Sequence, residues 1–282
     1  MLDCHVAISL QFCHESSTTL PSGLACAHDQ AGVRRWMVTS MKTLSRDYIH
    51  ASYRTLDGSE VVVDWAELDP DAVVRGSPWR TFPWYVGQRN YSGLYWCVTE
   101  GTHVGYESRL ELSRLVVADF DPDSKHIASQ PFQLNAVIGG ASFKRVPDYL
   151  VCTDGAPVVI DVTRRASLTK PDKVRIFDMT REVVEARGWR YELATEQPRV
   201  EYTNIRFLSG YRRPWQYRVE VLDRLRQEAR SLTDATIGDV ASNVGYSKPI
   251  ALSALFHLVW NHELLVDISR KLSSASILTV TP

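Results

Sequence analysis

Asp148 and Asp161 each stand six residues away from the pair Asp154-Gly155. That pair suits a two-residue type I′ hairpin turn, in which both positions need positive φ. The flanking runs, Val146-Pro147-Asp148-Tyr149-Leu150-Val151-Cys152 and Pro157-Val158-Val159-Ile160-Asp161-Val162, are rich in β-branched and aromatic residues and read as strands. Paired across the turn, the two carboxylates face each other with Cβ atoms roughly 5 Å apart. Like charges that close repel and raise a pKa unless a cation lies between them. A hard divalent ion with oxygen ligands fits the gap, Mg²⁺ first and Mn²⁺ as its substitute. An Asp beside a turn is more often turn chemistry. Asp161, however, lies within Val158-Val159-Ile160-Asp161-Val162, where an unpartnered charge is expensive to bury.

Two more carboxylates lie upstream. Glu107 and Glu111 are four apart, so on a helix they share a face. Leu110, Leu112, Leu115, Val116 and Val117 supply the apolar side of that helix, which should end near Asp119. Such a Glu pair alone is more often a solvated helix face. Gln130, in Ser129-Gln130-Pro131-Phe132, is a candidate contact to the same centre or a structural residue at a strand edge.

These residues need a frame of strands and helices. The chain has 282 residues, 44% hydrophobic and 23% charged, with a net charge of −1. A packed core in one large or two modest domains follows. No bulk positive field announces nucleic-acid binding, so contact with DNA must be local. No apolar run reaches the ~20 residues of a membrane helix, and no secretory signal is evident, so a cytoplasmic protein is expected. The five Cys (Cys4, Cys13, Cys26, Cys97 and Cys152) are too scattered for a disulfide framework, and the Cys/His residues of the first 30 lack zinc-site spacing.

Residues 1–30 read as a loosely ordered tail and residues 31–83 as a β-rich N-terminal extension. Asp57-Gly58 marks a second hairpin there. Tyr91 to Val98 is a further strand. Residues 163–190 hold eight Lys or Arg, an excess over acidic residues. Among them Arg164, Arg165, Lys170 and Lys173 are candidates for tracking a phosphate backbone. Pro171 opens a helix that Gly188 caps. Gly210-Tyr211-Arg212-Arg213-Pro214 reads as a boundary. Beyond it, Tyr217, Val221, Leu225 and Ala229 repeat at helical spacing, Thr236 caps a short second helix, Pro249 opens a third, and Leu264–Ile268 with Ser276–Val280 form a terminal hairpin. Three helices and a two-stranded wing resemble a winged helix. The stretch from Ile250 to Trp260 is nearly devoid of charge, whereas a DNA-reading helix carries Arg, Lys, Asn or Gln. It points to docking on another protein.

The order helix Glu, Gln130-Pro131-Phe132, Pro147-Asp148-Tyr149-Leu150, then Ile160-Asp161-Val162 resembles the restriction-endonuclease superfamily. It is most similar to the TnsA-like endonuclease subunits of heteromeric transposases. Asp119-Phe120-Asp121-Pro122-Asp123, Gly188-Trp189-Arg190-Tyr191, Trp84-Tyr85-Val86-Gly87 and Gly105-Tyr106-Glu107-Ser108 extend the similarity over roughly residues 84 to 280. The resemblance implies an α/β fold: a restriction-endonuclease-like mixed sheet flanked by helices over residues 84–210, and a winged-helix interaction domain over 211–282. It implies Glu111 as the helix acid, with Glu107 as runner-up, and Asp148 and Asp161 as metal ligands. At the position where the family carries a Lys, this chain has Thr163, which brings no positive charge.

The expected function is a Mg²⁺-dependent DNA endonuclease that cleaves the 5′ strand at transposon ends in cut-and-paste transposition. The implied partners are transposon-end DNA, an integrase-type transposase subunit, and an AAA+ regulatory ATPase engaged through the C-terminal domain. Two other readings stand beside it: a DNA- or ATPase-binding scaffold of the same machinery, which Thr163 favours, and a restriction or repair nuclease of the same superfamily.

Overall fold

The computed structural model describes residues 48–80, 91–138, 140–231 and 234–280. The tail of residues 1–30, the first part of the N-terminal extension and the motif Trp84-Tyr85-Val86-Gly87 lie outside the described residues. The architecture is mixed α/β.

The Asp57-Gly58 hairpin forms as expected. β1 (Tyr48–Arg54) and β2 (Glu60–Asp64) pair antiparallel, with Arg54 opposite Glu60. Gly58 takes φ +86°, the left-handed conformation that ends a short hairpin loop. A 3-10 turn (Trp65–Glu67) and a short helix α1 (Pro70–Val74) follow. Then come β3 (Gly93–Cys97), β4 (Thr102–Tyr106), helix α2 (Arg109–Phe120), β5 (His126–Ser129), β6 (Gln133–Ile138), β7 (Ala141–Arg145), β8 (Tyr149–Cys152) and β9 (Val158–Val162). After a 3-10 segment (Arg165–Thr169) the chain forms α3 (Pro171–Ala186), β10 (Arg190–Ala194) and α4 (Arg199–Leu208). It ends in α5 (Val219–Ser231), α6 (Ile237–Asn243), α7 (Lys248–Trp260), β11 (Leu264–Val266) and β12 (Leu278–Val280).

Two four-stranded sheets make the centre. One runs β2-β1-β6-β7, all antiparallel; the other runs β10-β9-β8-β5, with β9 and β10 parallel and the rest antiparallel. Helix α3 is the crossover that a parallel pair requires. The Ser129-Gln130-Pro131-Phe132 stretch carries the chain from the second sheet into the first. β1 pairs with β6 from Tyr48–Val137 to Ser52–Gln133. Among the described residues, the β-rich segment thus completes a central sheet instead of packing on it from outside.

The second sheet is buried on both faces. Tyr149, Val151, Val158 and Ile160 pack with Leu115 of α2 and Ile205 and Leu208 of α4. Leu150, Cys152, Val159 and Tyr191 pack with Val183 and Val184 of α3 and with Trp65, Phe132 and Leu134. Helix α2 is fixed by Arg114, whose Nε and Nη2 each donate to Glu192 of β10 at 2.7 Å. The N-terminus of α3 has Pro171 in its first turn and its C-terminus ends at Gly188 with φ +85°, both as the sequence indicates.

At the C-terminus, α5 to α7 and the antiparallel β11–β12 pair form as expected, with Thr236 and Asp239 making a reciprocal capping box on α6. The expectation for α7 needs correction. Ala251, Ala254, Leu255, Leu258, Val259 and Trp260 are all buried, packed on α4, α5 and α6. Most of the charge-free surface is thus consumed inside the molecule. Nor is there a packing break near residue 210. The core under α2 and α4 runs on into α5 to α7. Asn204 of α4 donates to Ile268 O (2.8 Å) and Arg270 O (2.7 Å) beyond β11.

Candidate active site

β5, β8 and β9 bring the predicted residues together at one end of the second sheet. Ser129 lies opposite Tyr149, and Tyr149 opposite Ile160. Continuing both registers places Gln130 beside Asp148, and Gln130 N–H donates to Asp148 O at 2.9 Å. The β8–β9 register is the one the sequence spacing demands, but the turn that was to set it is different. Neither Asp154 nor Gly155 has positive φ. Instead Gly155 N–H donates to Thr153 Oγ1 at 3.1 Å, and strand pairing stops at Val151–Val158. The loop is wider than a type I′ turn, and the packing of the two strand faces into separate core clusters holds the register.

Asp148 is not a simple cross-strand partner of Asp161 either. Its N–H donates to Ile160 O at 3.0 Å, although Ile160 already stands opposite Tyr149. Two residues thus oppose one, as in a β-bulge, which re-aims a side chain at a strand end. Asp148 Oδ2 accepts the Val162 N–H at 2.6 Å. Burial pushes the Asp148 carboxyl up to about 7, and the charges of Asp161 and Glu111 push in the same direction; the Val162 N–H and Arg145 oppose them. The charges of Asp161 and Glu111 therefore both reach Asp148.

Asp161 is fully buried and has a partner that the sequence reading did not find. Arg145, the last residue of β7 in the other sheet, donates through Nε (3.0 Å) and Nη2 (2.5 Å) to Asp161 Oδ1. Tyr191 of β10 donates its hydroxyl to Oδ2 at 2.7 Å. The guanidinium also lies over the Phe177 ring, 5.2 Å from its centroid. Burial alone would lower the Arg145 pKa, but Asp161 and Asp148 outweigh it and hold the group firmly charged. The available signal was an Arg three residues before Asp148 on the half-buried alternation of Ala141, Phe143 and Arg145. Without β7 recognised as a strand of a second sheet, nothing joined it to Asp161. Thr163 is buried, its N–H donating to Ala194 O at 2.9 Å.

The expectation of Glu107 and Glu111 on one helix face is corrected. Glu107 precedes the N-cap Ser108 and pairs with Arg80 at 3.7 Å. Glu111 caps its own helix: Ser108 Oγ donates to it at 2.8 Å and Glu107 N–H at 2.7 Å, a capping box with the Glu side chain reaching back. Burial raises the Glu111 pKa, opposed by those two donors. Of the two, Glu111 is the one whose charge reaches Asp148. Among the described residues, no group of three or more Asp, Glu, His or Cys side chains is placed to hold a metal ion. Asp148 spends Oδ2 on the Val162 N–H; Glu111 spends one oxygen on Ser108 Oγ and the other on the Glu107 N–H; Asp161 is directed at Arg145 and Tyr191.

Gln130 combines two unusual features. It is 4% exposed with φ +44°, and its Oε1 meets no hydrogen-bond donor among the described residues. A left-handed conformation costs a residue with a Cβ roughly 1–2 kcal/mol. Its own carbonyl accepts Trp79 N–H at 2.8 Å.

The basic candidates Arg164, Arg165, Lys170 and Lys173 are all exposed on the segment that leaves β9 and enters α3. Arg165 N–H is held by Glu196 at 3.0 Å. Comparison with protein-family models gave no match, and no curated protein matched the sequence. Among the described residues no helix is long and apolar enough to cross a membrane.

Proposed function

We propose that this chain is a metal-dependent DNA endonuclease subunit of the TnsA-like kind, with a restriction-endonuclease-like core and a winged-helix C-terminal part. In this reading it cleaves the 5′ strand at transposon ends, beside a separate integrase-type transposase subunit. The observation that carries the reading is the junction of β5, β8 and β9, where Asp148 lies under the combined influence of Asp161 and Glu111.

The donor set suits a hard divalent cation. Buried carboxylates that destabilise one another in its absence are stabilised by it. Asp148 and Glu111 would hold Mg²⁺ or Mn²⁺, and Asp161 would contribute where Arg145 shares it. When bound, the ion supplies a Lewis acid for the phosphate and an acidified water. The remaining steps fall to the chain itself. Asp161 and Tyr191 orient Arg145, whose guanidinium keeps donors beyond those it spends on Asp161. It is the cation available to a phosphate where Thr163 provides none, and fork geometry suits that partner. Arg164, Arg165, Lys170 and Lys173 extend the positive surface along the path of a DNA backbone. Docking on an AAA+ ATPase would fall on the cavity of about 320 Å³ that Lys248, Leu252 and Phe256 of α7 line with Phe207 of α4 and Lys271.

The test is calorimetric titration of Mn²⁺ into the full chain and Asp148→Asn, followed by strand-specific nicking of transposon-end DNA with the partner subunits. Binding and nicking that both vanish in Asp148→Asn support the reading. Wild-type protein that binds end DNA but neither Mn²⁺ nor Mg²⁺ would establish the scaffold reading, which the Arg145–Asp161 pair and Thr163 favour.

A further inference from the structure

Gln130 is where the chain leaves one central sheet for the other. A turn there is sufficient reason for a positive φ. It is no reason for a glutamine. Glycine adopts the left-handed region without strain and carries no side-chain oxygen to bury. Gln130 instead keeps φ +44° with a Cβ, before a proline, and buries a carbonyl oxygen that meets no donor among the described residues. Both penalties sit at one residue, and the same substitution would relieve both. Strain and an orphaned polar atom at one position are what a ligand-holding site shows before its ligand arrives.

The position says which ligand. Gln130 N–H is bonded to Asp148 O, and the register sets the two residues side by side at the carboxylate end of β8. Pro131 locks the following φ and Trp79 N–H holds the Gln130 carbonyl, so the backbone on either side is pinned. The uncharged amide oxygen of a residue whose backbone is bonded to Asp148 is a hard ligand type for a divalent cation or for the water bound to it, and adds no further negative charge.

We propose that the side-chain carbonyl of Gln130 is a neutral oxygen ligand of the Asp148 centre, held there by its strained backbone to take a hard divalent cation or its bound water. The proposal rests on the carboxylate site argued above. The experiment is Mn²⁺ titration, by calorimetry and by the spin-resonance signal of free Mn²⁺, of the full-length wild type, Gln130→Gly, Gln130→Glu and Asp148→Asn, with melting temperatures of each metal-free protein. Gln130→Gly should melt higher than wild type yet bind Mn²⁺ about tenfold more weakly, the size of effect expected for a supporting ligand. Gln130→Glu, which keeps an oxygen at that place, should bind at least as tightly as wild type. Gln130→Gly binding Mn²⁺ as wild type does, while Asp148→Asn does not, would overturn the role of Gln130 and leave the carboxylate site standing. Wild type failing to bind, or Asp148→Asn binding equally well, would remove the carboxylate site and this proposal with it.

Discussion

Asp119 and Asp148 are both acidic residues removed from water, on neighbouring parts of one core, and they are treated in opposite ways. Asp119, near the end of α2, is 6% exposed and surrounded by donors: Tyr95 Oη at 2.8 Å, Thr99 N and Oγ1 at 2.9 Å each, and Cys97 Sγ at 3.1 Å. Asp148 has one amide donor and two carboxylate neighbours. The first is a finished anchor tying β3 to α2. The second carries an unbalanced charge. Burial of a carboxylate therefore marks nothing by itself; what separates a structural acid from a candidate ligand is whether the fold supplies its donors.

The sharpest way to break this comparison lies at Asp161, which shares features of both. Asp161→Ala or Arg145→Ala strands a buried charge and should destabilise the fold by about 3–5 kcal/mol. The double replacement Arg145→Met with Asp161→Leu should recover most of that loss in urea denaturation. If the single variants are as stable as wild type, Arg145 does not hold Asp161 as described.

Asp119→Ala comes next. It leaves the Tyr95, Thr99 and Cys97 donors without an acceptor and should cost about 1–3 kcal/mol, with Mn²⁺ binding by the folded protein unchanged. Weakened Mn²⁺ binding would erase the distinction between the two regions.

Asp148→Asn should move stability the other way in metal-free protein. The folded pKa of about 7 lies above the ordinary 3.8, so between those values the folded state holds a proton that the unfolded state has released. Stability from this group is full below about pH 4 and falls as pH rises toward 7. Asp148→Asn, which has no charge to bury, should therefore be more stable than wild type at pH 8, by a few kcal/mol at most, and no more stable at pH 4. Melting temperatures across that range check the sign. A variant less stable than wild type at pH 8 would make Asp148 an anchor like Asp119.

The smallest effect belongs to Glu111→Gln. A Gln serves a capping box nearly as well, so α2 should lose less than about 1 kcal/mol. The metal affinity should fall much further, since the charge is gone. Equal loss in both would reduce Glu111 to its capping role.

The local elements were readable because their signals are local. Pro171 and Gly188 bracket α3, Thr236 begins α6, Gly58 turns the first hairpin, and the even spacing of Tyr149–Cys152 and Val158–Val162 about Asp154-Gly155 matches the register of β8 with β9. The same reading assigned a type I′ turn to Asp154-Gly155 that does not form, because the flanking strands fix the register and leave the loop free to widen. It placed Glu107 on a helix that Ser108 begins one residue too late to include. It took the lack of charge on α7 as a sign of docking on another protein, while α4, α5 and α6 cover most of that apolar surface, since composition shows that a helix is apolar but not which neighbour covers it.

The sequence alone determined the carboxylates, their order and their register, since side-chain period and spacing are properties of the chain. Only the tertiary structure decided their partners. Arg145 reaches Asp161 from another sheet, Tyr191 from across a crossover helix, and Gln130 reaches Asp148 at the point where the chain changes sheets. Those contacts depend on how separate sheets pack. That packing is set by apolar surface buried from many residues at once, and no spacing between two residues records it.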